Sequence, residues 1–105
     1  WSLHDTPSLR QDGTKSIVVK TSINSKNAGK HLWLRVERQT IRKLKGTGAV
    51  LFTIRIHIHP LKEIVEIEGV AKRLNKAISI LPTETQDYKQ IKPFANSVKE
   101  YLEQY

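Results

Sequence analysis

The stretch that decides the fold is residues 32–59, LWLRVERQTIRKLKGTGAVLFTIRIHIH. Its first part alternates apolar Leu32, Leu34 and Val36 with Trp33, Arg35 and Glu37, and this period of two predicts a half-buried strand. Residues 45–48, KGTG, supply two glycines for a tight reversal, and a second alternating run follows at once. The sequence therefore predicts a long β-hairpin.

The second strand of this hairpin has two chemically different faces. One face carries branched and aromatic side chains: Val50, Phe52, Ile54, Ile56 and Ile58. The other face is mostly polar: Leu51, Thr53, Arg55, His57 and His59. Pro60 ends the strand because proline has no N–H to donate to the ladder. The end of the first strand is less defined, since the residues after Glu37 also fit a short helical turn.

The segments before the hairpin predict an arm and one further strand. Residues 1–15 have a proline, a glycine and no apolar period, which is typical of an extended arm or loop, and the aromatic Trp1 suggests that its end docks on the domain. Residues 16–23, SIVVKTSI, are rich in β-branched side chains and predict a strand.

The segments after Pro60 predict helices. Apolar residues recur every three or four positions through residues 61–81, with Gly69 as a point where this helix can divide in two. Residues 83–90 can form a short turn capped by Thr83 or Thr85. A final helix is expected from Pro93, and its apolar stripe comprises Phe94, Val98, Tyr101, Leu102 and Tyr105. Strands followed by helices predict an α+β fold, with an antiparallel sheet covered by C-terminal helices.

Composition limits the class of protein. The chain has 105 residues, 38% of them hydrophobic and 27% charged, which indicates one globular domain. It has no cysteine, which excludes disulfides, thiolate nucleophiles and cysteine-ligated metal sites. No stretch has the roughly 18 apolar residues of a membrane-spanning helix. Because the chain begins at Trp1 and has no methionine, we expect a processed chain or part of a longer one, and the lack of targeting signals favours the cell interior.

The net charge of +8 is concentrated in one part of the chain. Residues 16–60 carry nine basic side chains against Glu37 alone, whereas the rest of the chain is balanced. Such a block suggests an anionic partner, which could be nucleic acid, phosphate or a carboxylate-bearing cofactor. A solvated strand face explains the same charge equally well.

A cluster near the middle of the hairpin favours an anion-binding site of defined geometry over diffuse electrostatic attraction. It comprises Arg35, Glu37, Arg38, Gln39 and Arg42. Arginine forks bind carboxylates and phosphates in bidentate fashion, whereas lysines act as point charges. Strand alternation predicts that Arg35, Glu37 and Gln39 point one way and Arg38 the other. The alternative is that these side chains, with Arg55, form exposed ion pairs worth about 0 to 1 kcal/mol each.

The histidines give weaker signals. His57 and His59 share a strand face and could reach one metal ion, but two ligands are too few and no cysteine is available, so a solvated face is favoured. His4 precedes Asp5 in an arm that could fold over a pocket, where the carboxylate could orient the imidazole. A turn histidine in water is the commoner arrangement.

Three stretches of the chain resemble a known family. Residues 32–64, LWLRVERQTIRKLKGTGAVLFTIRIHIHPLKEI, resemble the signature block of the haem-dependent oxidative N-demethylase family, also described as the dimethylamine monooxygenase type. Residues 1–9, WSLHDTPSL, resemble a segment upstream of that block, and residues 88–102, YKQIKPFANSVKEYL, resemble its closing helix. Lys45 stands where the family commonly has proline, and an aromatic residue expected near His57 is replaced, which leaves the substrate open.

The resemblance implies a PAS-type α+β domain that encloses haem b and uses O2 to demethylate small secondary amines, giving formaldehyde. Electrons would come from NADPH through a separate flavin and iron–sulfur component. It implies that residues 1–105 are a single domain or the C-terminal portion of a longer family domain. The implied site comprises Glu37 as the catalytic residue that holds a cationic amine, Gln39 for the substrate, Arg35, Arg38 and Arg55 for the haem propionates, and His4 for the haem and its metal.

Two other functions stay open at this stage. One is a non-catalytic PAS-like protein that binds haem or acts as a scaffold, because fold analogy alone does not establish an activity. The other is a basic nucleic-acid-binding module in which the hairpin presents Trp33 and arginines. Only 7% of the residues are aromatic and the sheet lacks an interleaved stacking platform, so this alternative is disfavoured.

Overall fold

The computed structural model describes residues 1–10 and 22–105, and these form a three-stranded antiparallel sheet with helices after it. The strands are β1 (Ser2–His4), β2 (Trp33–Lys43) and β3 (Val50–Pro60), in the order β1-β2-β3. The helices are α1 (Ala28–His31), α2 (Leu61–Ile64), α3 (Val70–Ser79), α4 (Thr83–Tyr88) and α5 (Ala95–Leu102), and a 3₁₀ turn (Lys92–Phe94) precedes α5. The predicted α+β class is confirmed. The strand predicted over residues 16–23 lies almost entirely outside the described residues.

The long hairpin of β2 and β3 confirms the central prediction. Its two strands are paired from Trp33 and Pro60 at the base to Lys43 and Val50 at the tip, so β2 continues as a strand well past Glu37. The turn closes with the amide of Leu44 donating to the carbonyl of Ala49 at 2.8 Å. Both predicted turn glycines, Gly46 and Gly48, have positive φ, which side chains with a Cβ rarely adopt.

The N-terminal arm docks on the domain as a third strand. β1 pairs with the base of β2, with Leu3 opposite Leu34 and His4 opposite Trp33. At its start, the Lys89 ammonium donates to the carbonyl oxygen of Trp1 and lies 5.1 Å from the centroid of the Trp1 ring. The predicted docking of the aromatic end is confirmed. The pairing of β1 with β2 was not predicted, because a three-residue strand gives too short a pattern in the sequence.

The helices follow the predicted order with local differences. Gly69 adopts φ 71° and separates α2 from α3, as predicted. α4 begins after Pro82 without a side-chain cap, so the predicted threonine cap at residues 83–85 is not formed. The final helix is confirmed, but Tyr105, predicted on its apolar stripe, is 59% exposed because α5 ends at Leu102.

The hydrophobic core lies where the helices pack on the base of the hairpin. Its most completely buried side chains are Leu32, Leu61, Ile91, Val98 and Leu102. Leu3 is buried in this core and Leu34 packs against it, so the helices cover the sheet face that bears these two leucines. Farther along the hairpin, residues 36–43 and 50–55 are exposed. The outer part of the hairpin therefore extends from the core by roughly 25 Å, at about 3.3 Å per residue.

A close contact between α1 and α5 gives a test of this packing. A Cβ placed on Gly29 would overlap the hydroxyl of Tyr101, a side chain that is only 7% exposed. We expect Gly29→Ala to lower the free energy of unfolding by about 1 to 3 kcal/mol, measured by urea denaturation, because the core has no room for the added methyl.

The matched control is Lys30→Ala, at an exposed position of the same helix. We expect it to change the stability by less than about 0.5 kcal/mol. In an uncrowded helix Gly→Ala stabilises. A gain in stability for Gly29→Ala would therefore contradict the described contact between α1 and α5.

Candidate functional site on the hairpin

The register of β2 and β3 sorts the candidate residues onto two faces, because directly opposed residues of an antiparallel pair point to the same side. The first, which we term the apolar face, comprises the β3 side chains Val50, Phe52, Ile54, Ile56 and Ile58 with the β2 side chains Arg35, Glu37, Gln39, Ile41 and Lys43. The second, which we term the basic face, comprises Leu51, Thr53, Arg55, His57 and His59 with Leu34, Val36, Arg38, Thr40 and Arg42. The alternation predicted from the sequence is confirmed.

The apolar face carries a row of large side chains in contact with solvent. Ile41, Val50, Phe52 and Ile54 are 74%, 61%, 51% and 49% exposed. Ile56 and Ile58 continue the row toward the core and are half-buried. A contiguous patch of this kind typically marks a binding surface for a ligand or another polypeptide. The alternation predicted the row, but it did not show that the described residues leave it uncovered.

His4 lies beside the apolar face, at the end of the hairpin nearest the hydrophobic core. β1 places Ser2 opposite Arg35 and His4 opposite Trp33, so both β1 side chains point to the side of Arg35 and Glu37. The Ser2 hydroxyl is 2.7 Å from Nε2 of His4, and Nδ1 has no hydrogen bond to the described residues. Burial lowers the pKa of His4 below its ordinary value of 6.5, and the positive charge of Arg35 lowers it further. The imidazole is therefore held in the neutral form, which is the form that ligates metals.

Arg35, Glu37 and Gln39 form one hydrogen-bonded group on the same face. Arg35 Nε donates to Glu37 Oε1 and Gln39 Nε2 donates to Glu37 Oε2, each at 3.3 Å. Arg35 also donates to the carbonyl oxygen of Leu9 at 3.0 Å, which ties the segment after β1 to β2. The side chain of Arg35 is only 11% exposed, whereas that of Glu37 is 37% exposed. The carboxylate is thus oriented from both sides and still open to a ligand.

Arg38 and Arg55 lie directly opposite each other on the basic face. Arg42 follows on β2, and this face carries no carboxylate. None of these three arginines forms an ion pair with the described residues. The ion pairs within the described part of the chain join Arg35 to Glu37 and Lys92 to Asp87. The sequence also allowed these side chains to form exposed ion pairs. Among the hairpin arginines, Arg35 alone forms an ion pair with the described residues. Like charges directly opposite in a sheet destabilise the pairing unless an anion lies between them.

The sheet places four of the six predicted site residues on the same side. His4, Arg35, Glu37 and Gln39 share the apolar face, whereas Arg38 and Arg55 lie on the opposite side of the sheet. A flat group that lies on one face of a sheet contacts the side chains of that face alone. Two further groups contact these side chains and were not predicted from the sequence, namely the Ser2 hydroxyl and the Leu9 backbone carbonyl. The alternation of Ser2 and His4 about Leu3 was the only local signal for them.

Other features of the described residues lie away from this site. His57 and His59 are on the basic face, and no group of three or more metal-ligating side chains occurs within residues 1–10 and 22–105. One surface groove of about 430 Å³ lies between α3 and the C-terminal residues, and another of about 360 Å³ lies beside Asp87 and Lys92. No helix in the described ranges has the length and apolar character to cross a membrane.

The described residues define an α+β protein in which a long hairpin extends from a helical core. A family model described as haem-dependent oxidative N-demethylase, alpha subunit-like, matches residues 1–99. The chain therefore belongs to this family of oxidoreductases, whose name states a dependence on haem. The family predicted from residues 1–9, 32–64 and 88–102 is confirmed.

The donor chemistry of the apolar face fits the cofactor that the family name implies. A haem needs an apolar surface for its macrocycle, a ligand for its iron and cations for its two propionates. On one side of the sheet, Ile56 and Ile58 offer apolar surface, His4 offers a neutral imidazole, and Arg35, which is also paired with Glu37, offers one cation.

The lowered pKa of His4 predicts a pH dependence of stability. The unfolded chain takes up a proton at His4 near pH 6.5, whereas the folded chain takes it up only at lower pH. Folding therefore loses stability as the pH falls from 6.5 through the lowered value. We expect His4→Gln to remove this part of the loss, measured as the free energy of unfolding between neutral pH and about pH 5.

The control is His59→Gln, on the exposed part of β3. We expect this variant to keep the pH dependence that is due to His4. An unchanged pH profile in His4→Gln would show that burial and Arg35 do not hold the imidazole neutral.

Proposed function

We propose that this chain is part of a haem-dependent monooxygenase that oxidatively demethylates small secondary amines with O2. The observation that carries the proposal is the placement of His4, Arg35 and Glu37 beside one apolar row on a single face of the hairpin. The family match supports the proposal independently, since it covers residues 1–99.

In this proposal the apolar face holds haem b. Ile58 and Ile56, the members of the row nearest His4, would contact the macrocycle, and removing this surface from water stabilises binding by about 25 cal/mol per Å². His4 would ligate the iron through an imidazole nitrogen, and Arg35 would bind a propionate. When bound, the haem supplies the activation of O2. Arg38 and Arg55, predicted as propionate partners, point away from this face.

Glu37 and Gln39 are proposed to bind the amine. Near neutral pH a small secondary amine is a cation with two N–H donors. Glu37 accepts one hydrogen bond on each oxygen from its neighbours and has further lone pairs for an ammonium. Gln39 uses its amide nitrogen toward Glu37, which leaves its carbonyl oxygen as a second acceptor. The pair would therefore orient the substrate as well as hold its charge.

The overall reaction requires an external source of electrons. The amine loses one N-methyl group as formaldehyde while one oxygen atom of O2 enters that product and the other leaves as water. This balance consumes two electrons and two protons. We propose that NADPH supplies the electrons through a separate flavin and iron–sulfur protein.

We further propose that residues 1–105 act as the C-terminal portion of a longer PAS-like family domain. A two-stranded ribbon is only marginally stable in water, and here its outer half is exposed on both faces. Further chain packed over the apolar face would stabilise the hairpin and enclose the cofactor.

Haem binding tests the assignment of the apolar face. We expect a haemin titration of the purified chain to give a saturable one-to-one shift of the Soret band. Arg35→Gln should weaken binding about tenfold, because a charge-assisted hydrogen bond contributes about 1.5 to 3 kcal/mol. Arg38→Gln, which removes the same charge from the opposite face, should change the affinity less than about twofold. Equal losses in both variants, or a greater loss for Arg38→Gln, would contradict the assignment.

Amine binding tests the role of Glu37. We expect Glu37→Gln to weaken the binding of dimethylammonium to the haem-loaded chain about tenfold, measured by isothermal titration calorimetry, because the variant loses a charge-assisted hydrogen bond. The matched control is Glu63→Gln on the exposed side of α2. An affinity in Glu37→Gln equal to that of the control would remove Glu37 from the substrate site.

A further inference from the structure

We propose that the basic face of the hairpin docks an acidic surface of a partner protein. This face lies on the opposite side of the sheet from the proposed haem and amine site. Its outer part presents Arg38, Arg42 and Arg55 to solvent without a carboxylate among them. The inference does not depend on haem binding.

The positive charge of this face, which no carboxylate of the described residues neutralises, favours the binding of an external anion. Arg38 and Arg55 are directly opposite neighbours, so their Cβ atoms lie about 4.5 to 5.5 Å apart. Arg35 is neutralised by Glu37 on the other side of the sheet, whereas no carboxylate of the described residues reaches the pair on the basic face. A carboxylate bound between the two guanidinium groups would remove their repulsion and form forked hydrogen bonds with them.

The composition of the face favours protein over nucleic acid as the partner. The positive side chains on its outer part are all arginine, and the lysine of β2, Lys43, points to the apolar face. Arginine is enriched and lysine depleted at protein interfaces. Val36, next to Arg38, is 38% exposed and Leu51, opposite Arg42, is 47% exposed, which gives apolar contacts beside the charges. The face carries no tryptophan, tyrosine or phenylalanine on which a base could stack, and its two imidazoles, His57 and His59, lie toward the base of the hairpin rather than among the arginines.

The sheet geometry allows a close approach. Beyond Arg35, β2 has no strand on its outer side among the described residues, and β3 is the edge of the sheet. A partner can therefore contact the whole width of the ribbon without displacing a described strand. The Thr40 and Thr53 hydroxyls are hydrogen-bonded to each other across the strands between Arg38 and Arg42, which fixes the two strands in register there.

The test uses a fluorescein-labelled peptide of alternating glutamate and leucine as the acidic probe, and its binding to the purified chain is followed by fluorescence anisotropy. We expect saturable binding that weakens with salt, because the contacts are charged. The double variant Arg38→Gln/Arg55→Gln should bind about tenfold more weakly. Lys72→Gln/Arg73→Gln removes the same charge from the exposed side of α3 and should lose less than about twofold.

A conservative variant and a competing ligand complete the test. Arg38→Lys/Arg55→Lys keeps the charge without the forked geometry and should lie between the wild type and the glutamine variant. Absence of peptide binding, or equal losses in the hairpin and α3 variants, would overturn the proposal. So would tighter binding of a short DNA duplex that depends on Arg38 and Arg55, since a two-stranded ribbon also fits the major groove. Circular dichroism of each variant shows whether a loss comes from unfolding.

Discussion

The register between β2 and β3 is the constraint on which the rest of the structure depends. Side chains alternate along a strand, so a slip of one residue would exchange the positions of Arg35 and Arg38 relative to the core. In the observed register Glu37 stands beside Ile56 on one side of the sheet, and Arg38 stands beside Arg55 on the other. Each proposal for this protein rests on that separation, because a ligand on one face does not meet the side chains of the other.

Three features hold the register. The glycines of the 45–48 turn adopt positive φ and fix the length of the loop at the tip. At the base, the amide of Leu61 donates to the carbonyl of Leu32 at 2.9 Å, and both side chains are fully buried. β1 adds a third strand there, and Arg35 joins β2 to the carbonyl of Leu9. The outer part of the hairpin relies on its own pairing and on whatever packs against it.

Most of the architecture could be predicted because its signals are local. The alternation, the two turn glycines, the break at Gly69 and the final helix each depend on a few neighbouring residues. The same alternation correctly separated Arg35 and Glu37 from Arg38. The pairing of β1 could not be predicted, since a three-residue strand has too short a pattern, and so the contact of His4 with Ser2 was missed.

The exposure of the apolar row could not be predicted either, and the physical reason is different. A period of two shows which side chains share a face, but the burial of that face depends on what packs over it. The helices pack only at the base of the hairpin, on the side of Leu3 and Leu34, so the row from Val50 to Ile54 stays in solvent. The roles of His4, Glu37 and Gln39 likewise come from the family resemblance, and the structure adds their shared position on one face.

The central claim is that haem binds to one face of the hairpin, and methyl NMR of the purified chain with haemin tests it most directly. The paramagnetic iron broadens nearby methyl signals, and the diamagnetic gallium porphyrin provides the reference. We expect the strongest broadening for the Ile58 methyls, which lie nearest the proposed ligand His4 on the apolar face, with Val36 and Leu51 on the basic face less affected. Equal broadening on both faces, or stronger broadening of Val36 and Leu51, would contradict it.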